Sequence, residues 1–333
     1  MGIPLLAALL LLQEPSGSAL VLNKSDGTVW KINLRTGALE ARWIVGEGPH
    51  EVLLSPDGRR AVVSLYGTST RPGSALAVLD LEGREPVRYV PLGSYSRPHG
   101  LAWWRGDTVL VTAEAQARLL VLSLQEGRIQ KALPTEARVS HMVVAWPEGR
   151  RAFTANIGSG SVSALDLDTE RVQQIPTGAG AEGIALRPGT RELWVSNRAA
   201  NTITILDAEH LRPLDSLSCP AFPIRVAFTP DGTLALVSCA ASGDVAVFEA
   251  ASRRLLGRIP IPPPEADVPE DRLFGSRFGR SPVPIGIAPS PEGRYALVAA
   301  SYADRIHVLD LIALRLIASY RTGPEPDGVV WIP

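Results

Sequence analysis

This chain is poorest in sulfur and in unbalanced charge. Its 333 residues include two cysteines and two methionines, too few for a disulfide-stapled scaffold, and no paired CxxC that would build a zinc knuckle. Lysine and arginine number 33 against 34 aspartates and glutamates, for a net charge of -1, so there is no strong signal for nucleic acid or another polyanion. No apolar run approaches the roughly 18 residues of a membrane-spanning helix. A glycine-rich phosphate loop set between strand and helix and a Gly-x-Ser-x-Gly elbow are both missing, which removes the usual sequence marks of nucleotide cradles and α/β-hydrolases. After residue 20 no segment has the periodicity of a long amphipathic helix.

What the chain does have is a repeat. GPHEVLLSPDGRRAVVS, RPHGLAWWRGDTVLVT, VSHMVVAWPEGRRAFTAN, AEGIALRPGTRELWVSN, FPIRVAFTPDGTLALVS and VPIGIAPSPEGRYALVA follow at intervals of about 41 to 49 residues, with one longer gap. A further copy starts as EPDGVVWIP at the C-terminus, and its continuation, LVLNKSDGTVWKINLRTGALEARWIV, lies near the N-terminus. Each unit reads as four short strands rich in Val, Ala, Leu and Ile and bounded by Gly, Pro, Asp and Asn. In the third unit these are Val143 to Trp146, Arg151 to Ala155, Ser161 to Asp166 and Arg171 to Ile175. The pattern predicts an all-β fold, a seven-bladed β-propeller of four-stranded blades, whose ring is closed by pairing Gly328 to Ile332 with N-terminal strands. A single domain then spans 20–333, with an insertion loop at 262–282.

Residues 1–19 read as a signal peptide: the apolar run Ile3 to Leu12 is followed by QEPSGSA, with small residues near a cleavage point at Ala19. The competing reading is a short apolar strand. Export predicts a periplasmic or secreted, monomeric protein with no transmembrane span in its mature chain. It also permits a disulfide between Cys219 and Cys239, which the repeat places on one face of the ring. Two unpaired buried thiols are the alternative.

The stretches RRAFTANIGSGSVSALDLDT and RELWVSNRAANTITILDAE, with SPDG-like turns at Ser55 to Gly58, Thr229 to Gly232 and Ser290 to Gly293, resemble the YVTN-repeat β-propeller family over about residues 19 to 333. The resemblance extends to YncE-like and lactonase-like propellers. It implies a seven-bladed propeller of an exported bacterial type, and it implies no single reaction, because these relatives share a fold and differ in function.

Function is then to be sought where the repeats differ. The position that opens the inner strand is His50, His99, His141, Glu182, Ile224, Ile285 and Asp327 in blades one to seven. Around the closed ring Asp327, His50, His99, His141 and Glu182 are neighbours, a polar arc at the channel mouth, with Arg225 beside Ile224. Imidazoles and carboxylates are donors for a divalent transition metal, with His50, His99, His141, Glu182 and Glu114 as the candidate ligands. Duplication of one ancestral histidine and simple lining of a wet channel account for the same pattern. At the end of the second strand Glu114 stands out as a ligand or as an acceptor that orients an imidazole. Asp80, Asp166, Asp207 and Asp310 end third strands and read as turn formers.

Two insertions, YGTSTRPGSA in blade one and the 262–282 loop, emerge on the face of the arc. In the latter, Phe274, Arg277 and Phe278 either cover the channel and dock a partner or fold back to anchor the loop. Two functions of different class follow. One is an exported binding scaffold that takes a protein, peptide or small molecule on its channel face. The other is a metal-dependent hydrolase resembling propeller lactonases, with an activated water at the histidines; three histidines depart from the oxygen ligands that lactonase-type calcium sites prefer.

Overall fold

In the computed structural model, residues 14–146 and 148–333 are described. They form seven four-stranded antiparallel sheets arranged as the blades of a propeller. Blade three comprises Ser140–Trp146, Arg151–Asn156, Ser161–Asp166 and Val172–Pro176. Blade seven is the composite one. Its inner strand, Pro326–Ile332, pairs with Ser18–Asn23, followed by Thr28–Asn33 and Leu39–Ile44. Ring closure through the two terminal segments is therefore as expected from the split repeat. The signal-peptide expectation falls largely on residues outside the described ones. The first strand begins at Ser18, two residues ahead of Leu20, and Gly17 and Ser16 already accept hydrogen bonds from Leu34 and from the Trp331 indole.

Alternating strand residues bury one side chain toward each neighbouring blade, so the core is divided into slabs. Seven apolar clusters each join residues of two adjacent blades, from Val62 with Val111 between blades one and two around to Leu20 with Val63 between seven and one. Within the blade core, Trp194 and Phe153 are among the largest fully buried side chains. Asp80, Asp166, Asp207 and Asp310 accept backbone N–H groups in the turns that follow them, which is the turn role expected of them.

The feature that builds the site is an irregularity shared by every inner strand. Each begins two or three residues before its apolar run and pairs at its first residue. It then skips two residues and resumes, as at Pro49/Val52, Ser140/Val143 and Pro284/Ile287. A bulge of this kind releases its residues from the ladder and re-aims their side chains, here into the channel. The skipped pairs are His50-Glu51, His99-Gly100, His141-Met142, Glu182-Gly183, Ile224-Arg225, Ile285-Gly286 and Asp327-Gly328. This explains why the inner strand of blade three starts at Ser140, ahead of Val143, and that of blade seven at Pro326, ahead of Gly328.

A hydroxyl on the second strand satisfies the bulged backbone and stitches blades together. Ser196 Oγ accepts from Gly183 N at 3.0 Å and donates to Ile224 O of the next blade at 2.7 Å. Thr112 and Ser238 do the same for Gly100 and Arg225. Gly183 is required here, since a Cβ would lie 2.3 Å from Ile224 O. Ser196→Ala strands one buried donor and one buried acceptor, and a loss of about 2–4 kcal/mol is expected. Chemical denaturation checks it, and a change below about 0.5 kcal/mol would show that these stitches are dispensable.

Candidate functional site at the channel mouth

The arc predicted around the ring is assembled. His50 and His99 ring centroids lie 4.2 Å apart, His99 and His141 3.4 Å, and His50 and His141 6.4 Å. His99 is the deepest, with no exposed surface and both ring nitrogens without a hydrogen-bond partner. His50 and His141 line a cavity of about 270 Å³, together with Lys24, Tyr66, Glu182 and Phe274. This cavity shares Lys24, Tyr66 and Leu273 with a wider vestibule of about 790 Å³. The blade-one insertion, through Gly67, Thr68 and Ser69, and the long loop, through Asp271, Arg272 and Leu273, both wall that vestibule.

Polar contacts pass from blade to blade around the mouth. Tyr66 Oη donates to Glu114 Oε1 at 2.8 Å, and Glu114 Oε2 meets His141 Nδ1 at 2.8 Å. His141 Nε2 faces Glu182 Oε1 at 3.5 Å, and Glu182 forms an ion pair with Arg198 at 2.8 Å. Glu114 thus serves the histidine of the following blade; it does not orient His99 of its own blade. Across the channel, Arg225 of blade five is paired with Glu51 of blade one, and its other nitrogen lies 4.0 Å from Glu182. Arg225 is buried and Glu51 nearly so, and the pair is a strut that braces the cavity Arg225 lines.

His50 is set apart by its partner. Its Nδ1 contacts the Asp327 carboxylate, which is 1 % exposed and comes from the C-terminal strand of the composite blade. With Nδ1 engaged, Nε2 is the open position of the ring. Burial drives the His50 pKa down, against the pull of Asp327, to about 4, so its imidazole is neutral at ordinary pH. His141 behaves in the opposite way. Burial lowers it, but the hydrogen bonds and charges of Glu114 and Glu182 together outweigh burial, and its pKa is raised. For Glu182 burial works upward, while His141, Arg198 and Arg225 bring the carboxyl below its usual range. Burial likewise opposes, and His50, Lys24 and Arg225 produce, a lowered Asp327.

The remaining expectations divide. Phe274 and Phe278 pack on Phe222, with centroids 5.8 and 5.0 Å from it, so they anchor the loop; Phe274 also lines the cavity. Arg277 stacks over Phe222 and Phe278 and is exposed, outside the cavity wall. The ligand set proposed for a bare metal ion is not assembled. His141 has a carboxylate near each nitrogen, and among the described residues no group of three or more His, Cys, Asp or Glu has the placement of a metal site. Cys219 and Cys239 are buried thiols with sulfurs 3.8 Å apart.

Glu51, Tyr66, Lys24 and Arg198 were not singled out by sequence reasoning. The position after the channel residue is glycine in blades two, four, six and seven, and charged Glu51 and Arg225 replace it in blades one and five. That exchange is the signal that could have located the strut.

Comparison with known proteins agrees with the fold. The YNCE-like beta-propeller family model matches residues 152–266, which bears out the resemblance read from the repeats. Protein NirF of Pseudomonas aeruginosa is 27 % identical over 188 residues, 52 % of this chain and 46 % of that protein. NirF of Stutzerimonas stutzeri is 26 % identical over 185 residues, with the same coverage. The chain thus spans less than half the length of the curated relatives it matches. A functionally unknown protein from Desulfotomaculum acetoxidans superposes with a TM-score of 0.75 at 14 % identity, covering 94 % of this chain and 98 % of that one. Kuenenia stuttgartiensis hydrazine synthase gives 0.68 at 17 %, over 86 % and 90 %. The dihydro-heme d1 dehydrogenase NirN in complex with DHE gives 0.64 at 16 %, over 96 % and 76 %. Such identities show a shared fold. Among the described residues no helix is long and apolar enough to cross a membrane.

Proposed function

We propose that this YncE-like propeller is an exported binding scaffold whose channel mouth takes a small anionic ligand, and that the ligand class is an iron tetrapyrrole. The observation that carries the reading is His50, with Nδ1 held by Asp327 and Nε2 left open at a buried cavity. A carboxylate behind an imidazole fixes the tautomer and leaves the other nitrogen as a donor, so His50 would be the residue to hold the iron of such a group. A macrocycle supplies four donors of its own, so one protein imidazole suffices where a bare ion would need three or four.

The surrounding charges fit the same ligand. Lys24 makes no salt bridge among the described residues, and the Arg97 guanidinium bonds only the Ser69 carbonyl while stacking over Tyr66. Both line the vestibule, placed to meet peripheral carboxylates. Leu273, Phe274, Ile224 and Ile285 supply the apolar wall, and Arg225, tied to Glu51, lines the cavity beside them. An iron centre bound here would provide a Lewis acid and a redox couple; the protein's part is to orient it and restrict water. The likeness in fold to NirN with its bound DHE supports trying this class first. The hydrolase alternative draws no support from the donor geometry. Export keeps residues from Ser16 onward with the domain, because Ser16 and Gly17 are already engaged with blade seven.

Titration of tag-free protein with haemin, followed by the Soret band, tests the proposal. A shifted band saturating near one equivalent is expected; an unshifted band, or an identical titration with His50→Ala, would overturn it. The pH course is specific. Protonation blocks ligation, and with the His50 pKa near 4 affinity is expected to stay level from about pH 8 to 5 and to fall only as pH nears 4. An exposed histidine would lose affinity near its ordinary value of about 6.5.

A further inference from the structure

We infer that Cys219 and Cys239 form a disulfide when the chain folds in an oxidising compartment, and that this bond fastens the crossover on which the insertion loop is anchored. Cys219 directly follows the outer strand of blade four, Arg212–Ser218, and its N–H donates to Asn201 O. Cys239 ends the second strand of blade five, opposite Pro223. Neither has exposed surface, and their sulfurs are 3.8 Å apart. Bonding at about 2 Å requires the two side chains to close less than 2 Å between them.

The crossover between them is a strained and heavily used piece of backbone. Ala221 and Phe222 both have positive φ, at 83° and 62°, a region non-glycine residues seldom occupy. They are held by Ala241 N to Ala221 O, by Ala240 N to Phe222 O and by Phe222 N to Asn201 Oδ1. Phe222 then receives Phe274 and Phe278 of the loop and lies beneath Arg198 and Arg277. Phe274 reaches the cavity wall. The cysteine pair therefore sits behind one of the contacts that fix the loop's aromatic end, beside those of Tyr302 with Phe274 and Gly275, and a covalent tie there closes a loop of 20 residues.

The chemistry is thiol–disulfide exchange. A Cys219 thiolate attacks the sulfur–sulfur bond of a dithiol–disulfide oxidant, giving a mixed disulfide and releasing one thiolate of the oxidant. The Cys239 thiolate displaces the second, so two electrons pass to the oxidant and two protons leave the cysteines. Because both sulfurs are buried, the exchange belongs to folding.

The test is refolding of the reduced full chain in oxidised and reduced glutathione, then alkylation in denaturant. No alkylated cysteine and a mass about 2 Da below the reduced chain are expected. Reduction should lower Tm by about 5 °C and speed proteolytic cleavage within 262–282. The Cys219→Ser, Cys239→Ser double variant should show neither response to reductant. Two alkylated thiols after oxidative refolding would overturn the bond; a bond whose reduction leaves loop cleavage unchanged would overturn its anchoring role.

Discussion

Replacing Arg225 with alanine is expected to destabilise the propeller by about 3–5 kcal/mol, because it leaves buried carboxylates without their cation. Arg225 is 9 % exposed in its side chain and pairs with Glu51 across the channel, with Glu182 4.0 Å away. Burial lowers its pKa, but Glu51, Asp327 and Glu182 more than offset this and raise it, so the guanidinium keeps its charge; Glu182 and Asp327 are lowered in turn, whereas burial raises Glu51 against the pull of Arg225. The companion variant separates charge loss from space loss. Arg225→Met with Glu51→Leu removes both members of the pair, and replacing a buried pair by apolar residues of similar volume is commonly neutral or stabilising. Recovery of most of the lost denaturation midpoint is expected. If Arg225→Ala lies within about 1 kcal/mol of the parent protein, the strut has no structural weight and its partners are relaxing into solvent.

The second large effect concerns the ligand. His50→Gly is expected to weaken haemin binding by about 100-fold or more, and millimolar imidazole should restore the Soret shift by occupying the vacated space. Restoration distinguishes a missing ligand from a collapsed pocket. Asp327→Asn keeps volume but removes the charge that orients His50, and a loss of about 10- to 100-fold is expected. Equal affinities for Asp327→Asn and the parent, with unchanged stability, would show that the dyad is only a packing contact.

The fold could be read from the sequence because each blade repeats the same strand lengths and turn residues, and the split copy announces the closing strand. The arc was readable for the same reason: one repeat position carries His50, His99, His141 and Glu182, and closure brings Asp327 beside them. Glu51 was hidden by strand alternation, which places the residue after a channel-facing one on the opposite side. The bulge in each inner strand breaks that alternation. Its only sequence trace is the glycine at 100, 183, 286 and 328, where a Cβ would lie 2.2 to 2.7 Å from the next blade's backbone. The link from Glu114 to His141 was hidden differently, since the turn after a second strand overhangs the next blade and no repeat register states that. Lys24, Tyr66 and Arg198 occupy the same repeat position as Glu114, the residue after the second strand, whose N–H donates to the residue preceding the inner strand; because its residue type changes from blade to blade, composition does not mark it, although the register does.

The composite blade also sets an order of events. Six blades can form from hairpins between neighbouring segments, whereas the seventh joins Ser18 to Ile332 and Asn23 to Pro326, partners separated by nearly the whole chain. Contacts of such separation are slow to form. Asp327 arrives on that same strand, so the His50 dyad does not exist until the ring is shut. Before closure the chain would present neither an oriented imidazole nor the complete vestibule, which includes Lys24 and Glu325, and a ligand favouring that imidazole would stabilise only the closed ring. Competence for binding and completion of folding are, on this geometry, a single late step.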